Sequence, residues 1–144
     1  MKGIEIVKVR FGLLFLLMVA IMLNYGCKPK SNNNISSGGK GGHAVIRVTP
    51  EFANFLIDTC TVYIKYGTHD APANGVYDDS AVCVVIDTIP YATFPGLTKG
   101  LYYLYGVGYH TTGGHPPNLK GSQICTIQTE DTSYLFLPTY PYIP

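Results

Sequence analysis

From His43 onward the chain sustains no helical period; short runs of Val, Ile, Tyr and Thr recur between clusters of Gly, Pro, Asn and Asp. Runs of this kind alternate with period two, which sends successive side chains to opposite faces of a strand. The roughly 100 residues involved suffice for one independently folding domain and are too few for two. The pattern therefore predicts an all-β fold, a single antiparallel Greek-key β-sandwich of about seven strands. The strands are expected at 43–49, 61–67, 80–88, 91–94, 101–109, 122–129 and 133–137. Alternation turns inward Ala44, Ile46 and Val48; Val62, Ile64 and Tyr66; Val82, Val84 and Ile86; and Tyr102 and Leu104. Residues 49–56 break the pattern. Thr49 suits a helix N-cap and Pro50 a first helical position, and Phe52, Phe55 and Leu56 would share a face, so at most a short helix is expected there. Asn74-Gly75 marks a tight turn.

The N-terminus has a different character. Lys2, Lys8 and Arg10 precede an uncharged run from Phe11 to Leu23, the order of a secretory signal. That run is about 13 residues long, short of the roughly 20 that span a bilayer as a helix. Leu23-Asn24-Tyr25-Gly26-Cys27 resembles the lipobox of bacterial lipoproteins in the relaxed form of the Bacteroidetes, with Leu four residues before the Cys. The resemblance implies cleavage of residues 1–26 as signal peptide, acylation of Cys27, and a lipid-anchored place in the cell envelope, at the outer membrane. Two or more acyl chains hold a protein on a membrane stably where one does so only marginally. Residues 27–42 carry one apolar side chain, Ile35, among Gly, Ser, Asn and Lys, and read as the lipidated Cys and a flexible tether. A coil of about 15 such residues reaches roughly 20 Å, enough to lift the domain, 43–144, clear of the headgroups.

Cleavage removes three cations and one anion and takes the formal net charge from +1 to −1. A chain so weakly charged has no basic stripe to displace counterions from nucleic acid, and that class of partner is excluded. Lipid consumes Cys27, which leaves Cys60, Cys83 and Cys125 in an oxidising compartment, where one pair can bridge and one thiol is left over. Spacing alone does not choose the pair.

Residues 92–104, Ala-Thr-Phe-Pro-Gly-Leu-Thr-Lys-Gly-Leu-Tyr-Tyr-Leu, followed by Gly108-Tyr109, resemble the strand, turn and strand of carboxypeptidase-regulatory-like (prealbumin-like) sandwich domains, with Phe94, Leu97, Gly100, Tyr102 and Leu104 on the pattern. Together with the signal and tether, the chain is similar to small Bacteroidetes lipoproteins of unassigned function. Such domains serve as attachment or interaction modules, and the resemblance carries no catalytic residue.

The residues themselves point the same way. The chain contains no Gly-x-Ser-x-Gly elbow, no His-Glu-x-x-His and no Gly-rich phosphate loop, so no catalytic residue and no cofactor is assigned. His110 and His115, with His43 and His69 elsewhere, lack the fixed frame that zinc requires. Asp70, Asn74, Asp78 and Asp79 offer oxygens to calcium, yet Asp and Asn are also ordinary turn residues; no metal site is assigned. Asp79-Ser80-Ala81 and Asp87-Thr88-Ile89 resemble the short acceptor motif of Bacteroidetes O-glycosylation, which implies modification at Ser80 and Thr88. With 12 Tyr, 6 Phe and no Trp, tyrosine is the unusual resource. If Tyr102 and Leu104 face the core, then Leu101, Tyr103, Tyr105 and Val107 face outward as one row, the candidate binding face; the alternative is that a loop, such as the Pro/Tyr tail, covers the row. The expectation is a non-enzymatic, membrane-tethered binding or assembly module whose partner is an envelope protein or a glycan. The alternatives are a glycan-binding accessory lipoprotein using an exposed Tyr face and, further off, a small hydrolase. The last seven residues, Pro138-Thr139-Tyr140-Pro141-Tyr142-Ile143-Pro144, cannot continue a central strand and are expected to lie against the sandwich or project to a partner.

Overall fold

The period-two runs become the strands of two sheets packed face to face in a computed structural model that describes residues 37–109 and 118–143. The expected signal peptide, Cys27 and most of the tether, as well as His110, His115 and the terminal Pro144, lie outside the described residues. Among the described residues ten strands follow in chain order: β1 (Lys40–Phe52), β2 (Phe55–Leu56), β3 (Thr59–Tyr66), β4 (Asp79–Val82), β5 (Val84–Ile86), β6 (Ile89–Leu97), β7 (Gly100–Tyr109), β8 (Leu119–Ile127), β9 (Thr132–Pro138) and β10 (Tyr140–Pro141). One sheet runs β10-β8-β7-β3-β4; the other runs β2-β1-β6-β5, with β9 also on β1. Neighbours β3 and β7 are distant in sequence, as a Greek-key path requires. All pairings are antiparallel except β1 with β9, which run parallel from Val45↔Thr132 to Glu51↔Pro138.

The core lies between the sheets and is filled as alternation dictates. Ala44, Ile46 and Val48, Val62 and Ile64, Ala92, Phe94 and Leu97, Tyr102 and Leu104, Leu119, Ile127 and Leu137 are all buried. Tyr66, expected inside, is only partly buried and packs edge-on against Tyr102 with ring centroids 5.9 Å apart. The Tyr102 hydroxyl is a polar group the core must satisfy. It donates to the carbonyl of Thr98 at 2.6 Å and accepts from the Gly39 N–H at 3.0 Å.

Three expectations are corrected. The helix at 49–56 does not form, because β1 runs straight through Pro50 to Phe52 and turns at Ala53 and Asn54, both left-handed with φ of 48° and 69°. That two-residue turn makes a hairpin, which leaves Phe55 and Leu56 exposed instead of on a shared core face. The inward set Val82, Val84 and Ile86 is also displaced: these three are exposed, and Cys83 between the first two is buried. Strand 80–88 is in fact two short edge strands in different sheets, and the chain changes sheet at Cys83. Finally, β1 begins at Lys40, inside the stretch read as tether. Gly42 lies so close to the Leu97 carbonyl that a Cβ there would overlap it, so this glycine serves a close approach of two strands.

Candidate functional site

In β7, Tyr102, Leu104, Gly106 and Gly108 are buried, so the same alternation turns Leu101, Tyr103, Tyr105 and Val107 outward, where all four are half-buried. Register then builds a face around them. Tyr105 stands between Tyr63 of β3 and Ser122 of β8, and Tyr63 in turn lies opposite Ser80 of β4. Tyr103 stands between Lys65 and Ile124, and Val107 between Thr61 and Lys120, beyond which Lys120 meets Tyr140 of β10.

The row is not bare. The β3–β4 connection, turned at Pro72–Gly75 by a 2.9 Å hydrogen bond from the Gly75 N–H to the Pro72 carbonyl, brings Tyr77 over the sheet. Tyr77 stacks on Tyr105 with centroids 5.8 Å apart and planes 11° apart, and lies 5.5 Å from the Tyr63 ring. Tyr63 and Tyr105 are themselves 6.4 Å apart. Offset aromatic contacts at these distances are attractive beyond the area they bury. Burial, followed by the neighbouring phenols, pushes the hydroxyls of Tyr77 and Tyr105 above the ordinary tyrosine range, so both stay neutral hydrogen-bonding groups at physiological pH.

The C-terminal tail supplies the far wall. Thr139 is buried where the chain passes from β9 in one sheet to β10 in the other, and its N–H and hydroxyl both donate to the Glu51 carbonyl, each at 2.8 Å. Tyr140 and Pro141 then pair with Lys120 and Leu119, and the Lys120 ammonium sits 4.8 Å from the centre of the Tyr142 ring. Between tail and sheet runs a groove of about 360 Å³ whose walls include Tyr103, Tyr105, Lys120, Ser122, Tyr140 and Pro141. On the other side of Tyr77 lies a shallower cleft of about 330 Å³ walled by Tyr63, Tyr77, Asp78, Asp79 and Ser80.

The remaining sequence candidates are accounted for locally. Asp78 is engaged by Lys65 and the Tyr66 N–H, and Asp79 by Lys40 and the Ser80 N–H. Asn74 accepts from the Val76 N–H, and the Asp70 N–H donates to the Thr68 hydroxyl. These four residues thus act as turn and ion-pair groups. His43 is exposed on β1, and His69 Nε2 lies 3.2 Å from the Cys125 carbonyl and 3.0 Å from the Thr126 hydroxyl. Among the described residues, no three His, Cys, Asp or Glu side chains converge to hold a metal. Ser80 is exposed on β4, and Thr88 is exposed in the β5–β6 turn, with φ of 73°.

Tyr63, Tyr77, Tyr140, Tyr142 and Lys120 were not foreseen on this face. Tyr63 was legible, since Val62 and Ile64 beside it point inward; the others depend on a loop and a tail that no period describes. A second aromatic patch, on the outer face of the other sheet, was also missed. Tyr134 and Phe136 of β9 are well exposed, and the Arg47 guanidinium lies 5.7 Å from the Tyr91 ring and 5.8 Å from the Tyr134 ring. Comparison with protein-family models, curated proteins and solved structures finds no match to this chain.

Proposed function

We propose that the chain is a membrane-tethered, non-enzymatic binding or assembly module of the cell envelope, held at the outer membrane by acyl chains on Cys27 and making contact through its tyrosine face. The tether rests on the order of charged residues, apolar run and Gly26-Cys27. The observation that carries the contact surface is the convergence of Tyr63, Tyr77, Tyr103 and Tyr105 beside a groove on one sheet. Tyrosines fixed in this way lose little side-chain entropy on binding and present both a ring and a hydroxyl, which is why they are favoured at contact surfaces. The resemblance of residues 92–104 to carboxypeptidase-regulatory-like (prealbumin-like) domains favours an interaction module.

The groove favours a glycan as one form of this reading. Its walls combine tyrosine rings, on which the apolar face of a sugar stacks, with the Lys120 ammonium and the Ser122 hydroxyl as hydrogen-bond donors. Ser80 and Thr88 are proposed as O-glycan acceptors; both are exposed, and Ser80 borders the tyrosine face. An intact mass of the native protein equal to that of the bare lipidated chain removes that assignment.

Two comparisons test the proposal. Cells fed a labelled fatty acid should label the wild-type protein and not Cys27→Ser, which should leave the membrane fraction while staying folded. Affinity capture from detergent-solubilised envelopes should recover a protein or glycan with wild-type and lose it with the double variant Tyr103→Ser, Tyr105→Ser. Labelling of Cys27→Ser overturns the tether, and equal capture by the double variant overturns the tyrosine face.

A further inference from the structure

We infer that Cys60 and Cys83 form a disulfide that ties β3 to the point where the chain changes sheet, and that Cys125 stays a thiol. The antiparallel register of β3 with β4 pairs Thr61 with Val82 and continues by one step to Cys60 opposite Cys83. The Cys83 N–H donates to the Cys60 carbonyl at 2.9 Å, which carries the ladder one step past Thr61 and Val82. Residues so placed have Cα atoms about 5.5 Å apart, within the range of natural disulfides. Directly opposed residues also send their side chains to one face, and both thiols are buried on the core side, 4% and 8% exposed. The Cys60 thiol donates to the Thr61 carbonyl at 3.7 Å; the neighbouring Cys83 thiol and burial push the Cys60 pKa up, while the neighbouring Cys60 thiol pulls the Cys83 pKa down.

Register also excludes the other pairings. Cys60 faces Gly108 of β7, whereas Cys125 faces Tyr102, six positions along the same strand. At about 3.3 Å per residue that separates Cys125 from the pair by roughly 20 Å, and Cα atoms more than about 7 Å apart cannot be bridged without moving the backbone.

The bond forms by thiol–disulfide exchange with an oxidant that is itself a small or protein disulfide. One thiol of the pair, once deprotonated, attacks one sulfur of that disulfide and expels the other as a thiolate, giving a mixed disulfide. The second thiol then gives up its proton and attacks the protein sulfur of that mixed disulfide, expelling the second oxidant thiolate. Two protein thiols are oxidised and one disulfide is reduced to two thiols. The closed loop contains residues 61–82, so the bond pins both ends of the segment that lays Tyr77 on Tyr105.

The test is oxidation of detergent-solubilised full-length protein with glutathione disulfide, alkylation of remaining thiols in denaturant, and peptide mapping. The expected result is one linked peptide pair containing Cys60 and Cys83, lighter by two hydrogens than its parts, with Cys125 alkylated. Oxidation should raise Tm by on the order of 10 °C. Cys125→Ser should keep both the link and the Tm rise, and Cys83→Ser should lose both. Alkylation of both Cys60 and Cys83 in folded, oxidised protein, or a link from either to Cys125, overturns the assignment.

Discussion

The ring of Tyr77, carried on the β3–β4 connection, lies parallel to the ring of Tyr105 on the sheet beneath it, 5.8 Å away. The connection is thereby part of the tyrosine face, and its removal should expose what it covers. Tyr77→Ala is expected to cost about 1 kcal/mol, the scale of an aromatic pair. It should also raise nitration of Tyr105 by tetranitromethane, mapped by mass spectrometry. Unchanged nitration would mean that Tyr77 does not cover Tyr105.

Burial separates residues that look alike in sequence. Phe94 and Leu104 are 1% and 0% exposed, whereas Val84 is 61% exposed. Phe94→Ala and Leu104→Ala should each cost about 2–5 kcal/mol, from lost burial and the cavity left behind. Val84→Ala should stay within about 0.5 kcal/mol. Urea unfolding of the three variants checks the order, and a Val84→Ala loss as large as the others would return that residue to the core.

The contrast shows what the chain makes legible. In 101–109 the phase came from Tyr102 and Leu104, which alternation and the resemblance of 92–104 both turn inward, and the outward placement of Tyr103 and Tyr105 followed. In 80–88, Ala81, Val82, Cys83, Val84, Val85 and Ile86 are all apolar, and a period cannot be phased when both faces carry the same signal. The phase broke at Cys83, where the strand leaves one sheet for the other, an event set by tertiary packing. The helix expected at 49–56 failed for a related reason. A cap and a proline are local preferences, and pairing of β1 with β9 up to Glu51 outweighs them. The tail could be named as a possible cover of the row, but the groove could not be read, because its second wall comes from the tail crossing between sheets at Thr139.

Acid should weaken the β3–β4 edge. The hydrogen bond from Lys40, whose ammonium lies 2.9 Å away, and then the Ser80 N–H hold Asp79 below its ordinary pKa. Burial pushes Asp78 up, but Lys65 at 2.8 Å and the Tyr66 N–H outweigh it, and Asp78 also lies low. A carboxylate depressed on folding contributes stability above its unfolded pKa of about 3.9 and loses it as pH falls through the folded value. These pairs are largely solvated, so each is worth at most about 1 kcal/mol. Tm measured from neutral pH downward should fall less steeply below pH of about 4 in Asp78→Asn, Asp79→Asn than in wild-type. An unchanged acid limb would mean that these pairs do not contribute.

The tail is part of the fold. Truncation after Leu137 removes both Thr139 hydrogen bonds to Glu51 and the pairing of β10 with β8. The loss should be about 2 kcal/mol, at roughly 1 kcal/mol for each net hydrogen bond, and should appear as a lower Tm. Thr139→Val, which keeps the N–H and removes the hydroxyl, should show about half of it. A truncated chain with unchanged Tm would show that the tail does not anchor to the sandwich.

Which face meets a partner can be read directly by placing a photo-crosslinking amino acid at Tyr103 or, on the opposite sheet, at Tyr134, and irradiating intact cells. The tyrosine face predicts a discrete higher-mass adduct from position 103 and none from position 134. Adducts from position 134 alone, or none from position 103 in a folded, membrane-bound protein, would contradict it.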